Sequence, residues 1–229
     1  MKTFTEVIEY LFARLPMFTR DGASAINPDV DKTLLLCQAL GNPQNKFKSI
    51  HIAGTNGKGS TSHMLASVLA KAGYKTGLYT SPHLVDFRER IRVDGEMIEQ
   101  QTVVDFVNNH RKLIEEIQPS FFEVTVAMAF DYFAKVNVDI AVIEVGLGGR
   151  LDSTNIISPE LCVITNIGMD HMNILGDTLE QIAGEKAGII KPNTPVVISE
   201  RQNEIQQVFI QKAKEGNSPL FFCRRLLRS

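Results

Sequence analysis

The chain has only three cysteines in 229 residues, Cys37, Cys162 and Cys223, far apart and odd in number. That excludes a disulfide-built scaffold. Each sits among apolar neighbours, so the expectation is buried free thiols in a reducing compartment. There is also little charge excess: 24 Lys and Arg against 26 Asp and Glu leave a net charge of −2. This argues against a nucleic-acid binder or a polybasic membrane binder. Long hydrophobic runs are missing too. The longest apolar stretches, such as 138–145, are of strand length and far short of a membrane span. Residues 1–10 mix charged and apolar positions at helical spacing and lack the apolar stretch of a secretion signal. No internal repeat or low-complexity linker interrupts the chain. Together these absences point to a cytoplasmic protein, and a hydrophobic content of 44% is enough for one sizeable core.

Apolar runs of strand length alternate with stretches of helical periodicity. Strands are expected at 47–53, 76–80, 139–145, 161–167, 194–199 and 220–223. Most are unbroken β-branched and aliphatic runs, as suits strands covered on both faces. Helices are expected at 58–72, 100–117, 121–135, 178–187 and 202–215, with two more near 4–15 and 29–40 before the first strand. Gly73 and the Lys191-Pro192 step supply stop signals. The alternation predicts an α/β fold with a doubly wound, mostly parallel sheet, flanking helices and right-handed crossovers. It also predicts a single domain over 1–229, with 1–45 as a helical extension.

The strongest local signal is Ser49-Ile50-His51-Ile52-Ala53 followed by Gly54-Thr55-Asn56-Gly57-Lys58-Gly59-Ser60-Thr61. A buried strand enters a glycine-rich turn and then a helix. Glycines let the backbone bring several N–H groups against phosphate oxygens, and the helix N-terminus adds its positive end. Lys58 can reach the β- and γ-phosphates, and Ser60 or Thr61 can approach phosphate or Mg²⁺. Two features depart from the general phosphate-loop pattern. Ile52 stands where a glycine is expected, and Gly59 separates the lysine from the first hydroxyl. The bland alternative is a plain glycine-rich connector, but strand, turn, lysine and helix occur in the order that nucleotide binding requires.

Further motifs fall at later strand ends: Thr80-Ser81-Pro82-His83-Leu84, then Ile143-Glu144-Val145-Gly146-Leu147-Gly148-Gly149-Arg150-Leu151-Asp152-Ser153, then Asn166-Ile167-Gly168-Met169-Asp170-His171. Strand ends are where ligand-binding loops gather in open α/β sheets. By residue type, Ser81 and Glu144 suit Mg²⁺, which prefers a few oxygen ligands. On the same basis His171 reads as a hydrogen-bonded strand-end histidine, Lys186 in Gly184-Glu185-Lys186-Ala187-Gly188-Ile189 as a solvated helix residue, and Arg88-Glu89-Arg90-Ile91 as a surface charge run.

Gly-Thr-Asn-Gly-Lys-Gly-Ser-Thr resembles the short phosphate loop of the Mur ligase superfamily. The glycine after the lysine, with the later motifs, resembles the folylpolyglutamate synthase/dihydrofolate synthase branch over nearly all of residues 1–220. That resemblance implies an ATP-dependent ligase joining glutamate to a dihydropteroate or folate carboxylate through an acyl phosphate. It implies ATP at residues 54–61 and Mg²⁺ ions at Ser81, Glu144 and His171. It makes Lys58, Glu144, His171 and Lys186 the catalytic set, with Lys186 carbamylated. It also implies a pterin pocket lined by Ser120, Phe121, Phe122 and Glu123 with Leu151, Asp152 and Ser153, in which Asp152 accepts hydrogen bonds from the ring and Phe121 or Phe122 packs on it. By residue type alone, the phenylalanines are equally explained as core. Residues 21–31 depart from the family's version, and no residue is carried over from them. The segment at 88–91 is similar to a mobile family loop near the substrate, which keeps Arg88 and Arg90 as candidates.

The resemblance implies a monomer that takes small-molecule substrates, neither nucleic acid nor membrane, and a second C-terminal domain. The sequence has no room for that domain before its basic ending at 222–229, so the chain is expected to hold the ATP, metal and pterin sites and to be inactive alone. Three rival readings are a peptidoglycan-type Mur ligase, a kinase, and a non-catalytic ATP-binding module. The first usually carries a domain before the loop, where only about fifty residues stand here. The second leaves the motifs around Asp152 and Lys186 unexplained. The third would bind ATP without glutamate-dependent ADP release.

Overall fold

The computed structural model describes residues 1–22 and 29–223. The basic ending from 224 onward, and most of the divergent stretch at 21–31, lie outside the described residues. Among the described residues, three α-helices and a 3₁₀ turn (Pro43–Asn45) precede the first strand: α1 (Phe4–Arg14), α2 (Phe18–Asp21) and α3 (Asp31–Ala39). Then come β1 (Lys48–Ala53), α4 (Lys58–Lys71), β2 (Thr76–Tyr79), β3 (Ile91–Val93), β4 (Glu96–Met97), α5 (Gln100–Ile117), α6 (Phe121–Lys135) and β5 (Ile140–Glu144). The chain continues with β6 (Leu161–Ile164), α7 (Met172–Leu175), α8 (Leu179–Ala187), β7 (Val196–Ile198), α9 (Gln206–Glu215) and β8 (Leu220–Phe222).

The eight strands form one sheet in the order β4-β3-β2-β5-β1-β6-β7-β8. The run from β2 to β8 is parallel, and β3 and β4 extend it antiparallel at one edge. The central strands are buried along nearly their whole length, as the unbroken apolar runs require.

Strand alternation divides the core. Ile50, Ile52, Leu78, Val142 and Val163 face α4. The opposite face carries Tyr79, Ala141 and Ile143 under α1, α3, α5 and α6, and Cys162, Ile164, Val196 and Ile198 under α8 and α9. Helices on both faces of a mostly parallel sheet match the expected doubly wound fold.

Several helix starts follow from the local sequence. Thr3 with Glu6, Ser120 with Glu123, and Thr178 with Gln181 form capping boxes that satisfy otherwise unpaired N–H groups.

Two expectations are corrected. Cys37 and Cys162 are buried, but Cys223 is exposed. It follows β8, which as an edge strand lacks a neighbour on one side. The charge run at 88–91 is not a simple solvated face. Phe87–Arg90 forms a 3₁₀ turn that buries Arg90 and leads into the β3–β4 hairpin. That hairpin turns through Asp94 and Gly95, at φ 53° and 89°, the left-handed pair that a two-residue turn favours.

Candidate active site

The strand order sets β2, β5, β1 and β6 side by side with their C-terminal ends on one edge. Those ends deliver Ser81, Glu144, the phosphate loop and the Thr165–His171 segment. At the loop's first residue, Gly54 has φ 145°, and a Cβ there would lie 1.8 Å from Thr165 Oγ1. Only glycine fits.

The loop is laced to the end of β6. Thr55 N–H donates to Asn166 O at 2.8 Å and Asn56 N–H to Asn166 Oδ1 at 2.9 Å. Thr165 Oγ1 donates to Asn56 O at 2.7 Å, and Gly168 N–H to Thr55 Oγ1 at 3.0 Å. Thr165 and Asn166 therefore shape the loop, a role the sequence reading missed. Their signal is a polar pair directly after a buried strand. Gly57, in a left-handed conformation, is the N-cap of α4, and Asn56, Gly57 and Ser60 are exposed at the rim.

Two lysines converge on one carbonyl. Lys58 Nζ donates to Gly54 O at 3.0 Å and Thr55 O at 3.2 Å, and Lys186 Nζ donates to Gly54 O at 3.1 Å. Lys186 is not solvated as its residue type suggested. It is 3% exposed, and burial followed by the nearby Lys58 charge pulls its pKa down to about 8.

Glu144 is 4% exposed. Burial pushes its carboxyl up to about 7 against the opposing effects of Ser81 N–H and Lys58. Among the described residues it accepts one hydrogen bond, from Ser81 N–H at 3.2 Å, and forms no ion pair. A Cβ at Gly59 would sit 3.7 Å from both of its oxygens, so the carboxylate lies directly beneath the phosphate loop.

His171 is more peripheral. It has φ 47° at the N-cap of α7, its Nε2 is 3.6 Å from Asp170 Oδ2, and its ring meets Phe18 edge-on at 5.6 Å. Among the described residues, no cluster of three or more His, Cys, Asp or Glu is preassembled for a metal.

The loop at 146–153 lies beside this edge. Asp152, 5% exposed, accepts from Gly146 N–H at 3.0 Å, Leu147 N–H at 2.8 Å and Thr154 N–H at 2.9 Å, and from the Thr154 hydroxyl. Four donors occupy a carboxylate's acceptor capacity, so Asp152 holds the loop together here. Ser153 is buried, and Leu151 is exposed. Phe121 is core, packed against Phe12 and Phe87. Phe122 is only half-buried and meets Gly146 so closely that a Cβ there would come within 2.4 Å of its ring. Ser120 and Glu123 bond each other's backbone N–H at 3.3 and 2.6 Å.

A phosphate loop on a parallel sheet edge, with a buried acid beneath it, has a counterpart among known proteins. Residues 52–223 match the family model described as the Mur ligase middle domain. The chain belongs to that family. It is 45% identical over 201 residues to the dihydrofolate synthase/folylpolyglutamate synthase of Bacillus subtilis, covering 85% of this chain and 47% of that protein. The folylpolyglutamate synthase of Thermotoga maritima superposes with a TM-score of 0.86 at 41% identity, over 96% of this chain and 49% of the other. That of Mycobacterium tuberculosis, in complex with ADP, gives 0.86 at 37% identity, over 96% and 50%. The chain thus spans about half the length of the relatives it matches. Among the described residues, no helix is long and apolar enough to cross a membrane.

Proposed function

We propose that this chain provides the ATP, cation and acid-substrate sites of a folylpolyglutamate synthase/dihydrofolate synthase reaction, in which glutamate is joined to a dihydropteroate or folate carboxylate. One observation carries the reading. Lys58 and Lys186 meet at Gly54 O, with the buried Glu144 carboxylate below the same loop. A kinase needs no amide-forming partner beside that edge, and here a separately built loop at 146–153 adjoins it.

In the reaction, the acid's carboxylate oxygen attacks the γ-phosphorus as the bridging P–O bond breaks, and ADP departs. The glutamate amine then adds to the acyl phosphate carbonyl, and phosphate leaves as the amide forms. The N–H groups of 54–61 and the Lys58 ammonium hold the phosphates in line and offset their growing charge. Thr165 and Asn166 keep the loop in that shape. Phe122, against Gly146, offers a ring face to a flat pterin, within a pocket whose loop Asp152 secures.

The donor set fits Mg²⁺. Glu144 is a buried carboxylate with no ion-pair partner among the described residues and a serine beside it, and Mg²⁺ usually takes only one or two protein carboxylates. Ser81 and Glu144 would hold it, with His171 joining from the β6 end. When bound, Mg²⁺ neutralises phosphate oxygens. Lys186 at about 8 is partly neutral near physiological pH, the form an amine needs to take up CO₂ as a carbamate. We assign it that modification.

The test is to incubate the chain with Mg-ATP, dihydropteroate and glutamate, reading ATP affinity by calorimetry and dihydrofolate by mass. ATP binding that is lost in K58A supports the reading, and so does product. A folded chain that binds no nucleotide sinks it. ATP binding with no affinity for any pterin acid favours a non-catalytic nucleotide-binding module.

A further inference from the structure

Arg90 is 8% exposed, yet no carboxylate among the described residues forms an ion pair with it. Its neighbours in the charge run are committed elsewhere. Arg88 pairs with Asp86 at 2.7 Å, and the Glu89 carboxylate accepts from the N–H groups of Leu84, Val85 and Asp86 at 2.7 to 2.9 Å. Arg90 is held rigidly all the same. Its Nε donates to His83 Nδ1 at 2.7 Å, and its guanidinium lies over the Phe121 ring at 5.2 Å. The Tyr79 hydroxyl is alongside. Tyr79 apart, no described residue accepts a hydrogen bond from Nη1 or Nη2.

A buried guanidinium without a counter-ion is costly. One fixed at Nε, with donors left over at its terminal nitrogens, is preorganised for an oxyanion. Its surroundings identify the anion. Tyr79 packs on Phe122 at 6.2 Å, and Phe122 lies on Gly146, so Arg90 adjoins the acid loop. It makes no bond to residues 54–61.

We propose that Arg90 binds the carboxylate of the acid substrate and positions it for attack on ATP. This rests on the ligase reading above. Calorimetric titration of the chain, R90Q and R90K with pteroate, with its decarboxylated analogue and with Mg-ATP tests it. R90Q should weaken pteroate binding by about 10- to 100-fold, the range for a charge-assisted pair. The decarboxylated analogue and Mg-ATP should be unaffected. R90K should restore only part of the affinity, because an ammonium lacks the fork. Equal losses for pteroate and its analogue would reduce Arg90 to packing. A loss confined to Mg-ATP would make the γ-phosphate the anion instead. Should R90Q fail to fold, R90K, which keeps the cation over Phe121, decides by the same comparison. A wild-type chain that binds neither pterin overturns the pterin-acid reading, and this inference falls with it.

Discussion

His51 lies in the middle of β1, fully buried, with Nε2 2.8 Å from Thr154 Oγ1. Thr154 in turn donates to Asp152, so the imidazole supplies the N–H at Nε2 and its Nδ1 is left without a partner. Burial, assisted by the Lys191 charge, pulls its pKa down to about 3. The unfolded chain binds a proton near 6.5 and the folded chain does not, so stability is complete above about pH 6.5 and falls as pH drops toward 3. At pH 5 the loss from this residue is about 2 kcal/mol. H51Q keeps a donor for Thr154 and cannot titrate. Unfolding free energies from urea titrations at pH 7.5 and 5 should therefore separate in the wild type by that much more than in the variant. An equal pH dependence in both proteins would refute the assignment.

Gly54 gives a second residue-scale test. G54A sets a methyl group 1.8 Å from Thr165 Oγ1 at φ 145°, so the loop must move. The expected outcome is loss of measurable ATP binding with destabilisation of about 1–3 kcal/mol. Calorimetry and denaturant titration read the two effects separately, and unaltered ATP affinity would show that the loop tolerates displacement.

Helix starts separate scaffold from ligand contact among the elements. Ser120 caps α6 through Glu123, so S120A should cost about 1 kcal/mol in a denaturant titration. If Ser120 acts only through the cap, S120D, which restores the acceptor, returns both stability and pterin affinity. A selective loss of pterin affinity in S120D would instead mark a direct contact. At this scale the sequence was most legible. α5 and α6 begin and end where periodicity places them, and the six strands expected from apolar runs all form, each shortened at one or both ends. β3 and β4 escaped because they are short, at an edge and mixed in polarity, so neither alternation nor an apolar run marks them. The burial of Arg90 escaped for a related reason. Burial of a charged residue depends on what packs over it, and Phe121 and His83 come from other segments. The phosphate loop was legible because its chemistry is local. The convergence of Lys186 on Gly54 O joins residues 132 positions apart, and only the family resemblance singled Lys186 out.

The whole molecule places its proposed ligand sites along a sheet edge that the core supports unequally. One face is filled by two large clusters under α1, α3, α5, α6, α8 and α9, while among the described residues α4 covers the other and leaves Met64 and Val68 exposed. The phosphate loop connects these layers. It joins β1 to α4 and is bonded to the β6 end, with Lys186 of α8 holding Gly54. Nucleotide bound there touches elements from both faces, so its binding energy should appear as stability of the entire fold. At a concentration 100 times its Kd, Mg-ATP adds about 2.7 kcal/mol. For a domain of this size, that corresponds to a rise in Tm of roughly 5–10 °C. Calorimetric melts should show the rise as one shifted transition, reduced by EDTA and absent in K58A. If Mg-ATP moves only part of a melt that splits into two, the β6–α8 side does not unfold with the phosphate loop, and the bonds through Asn166 and Lys186 do not couple the layers.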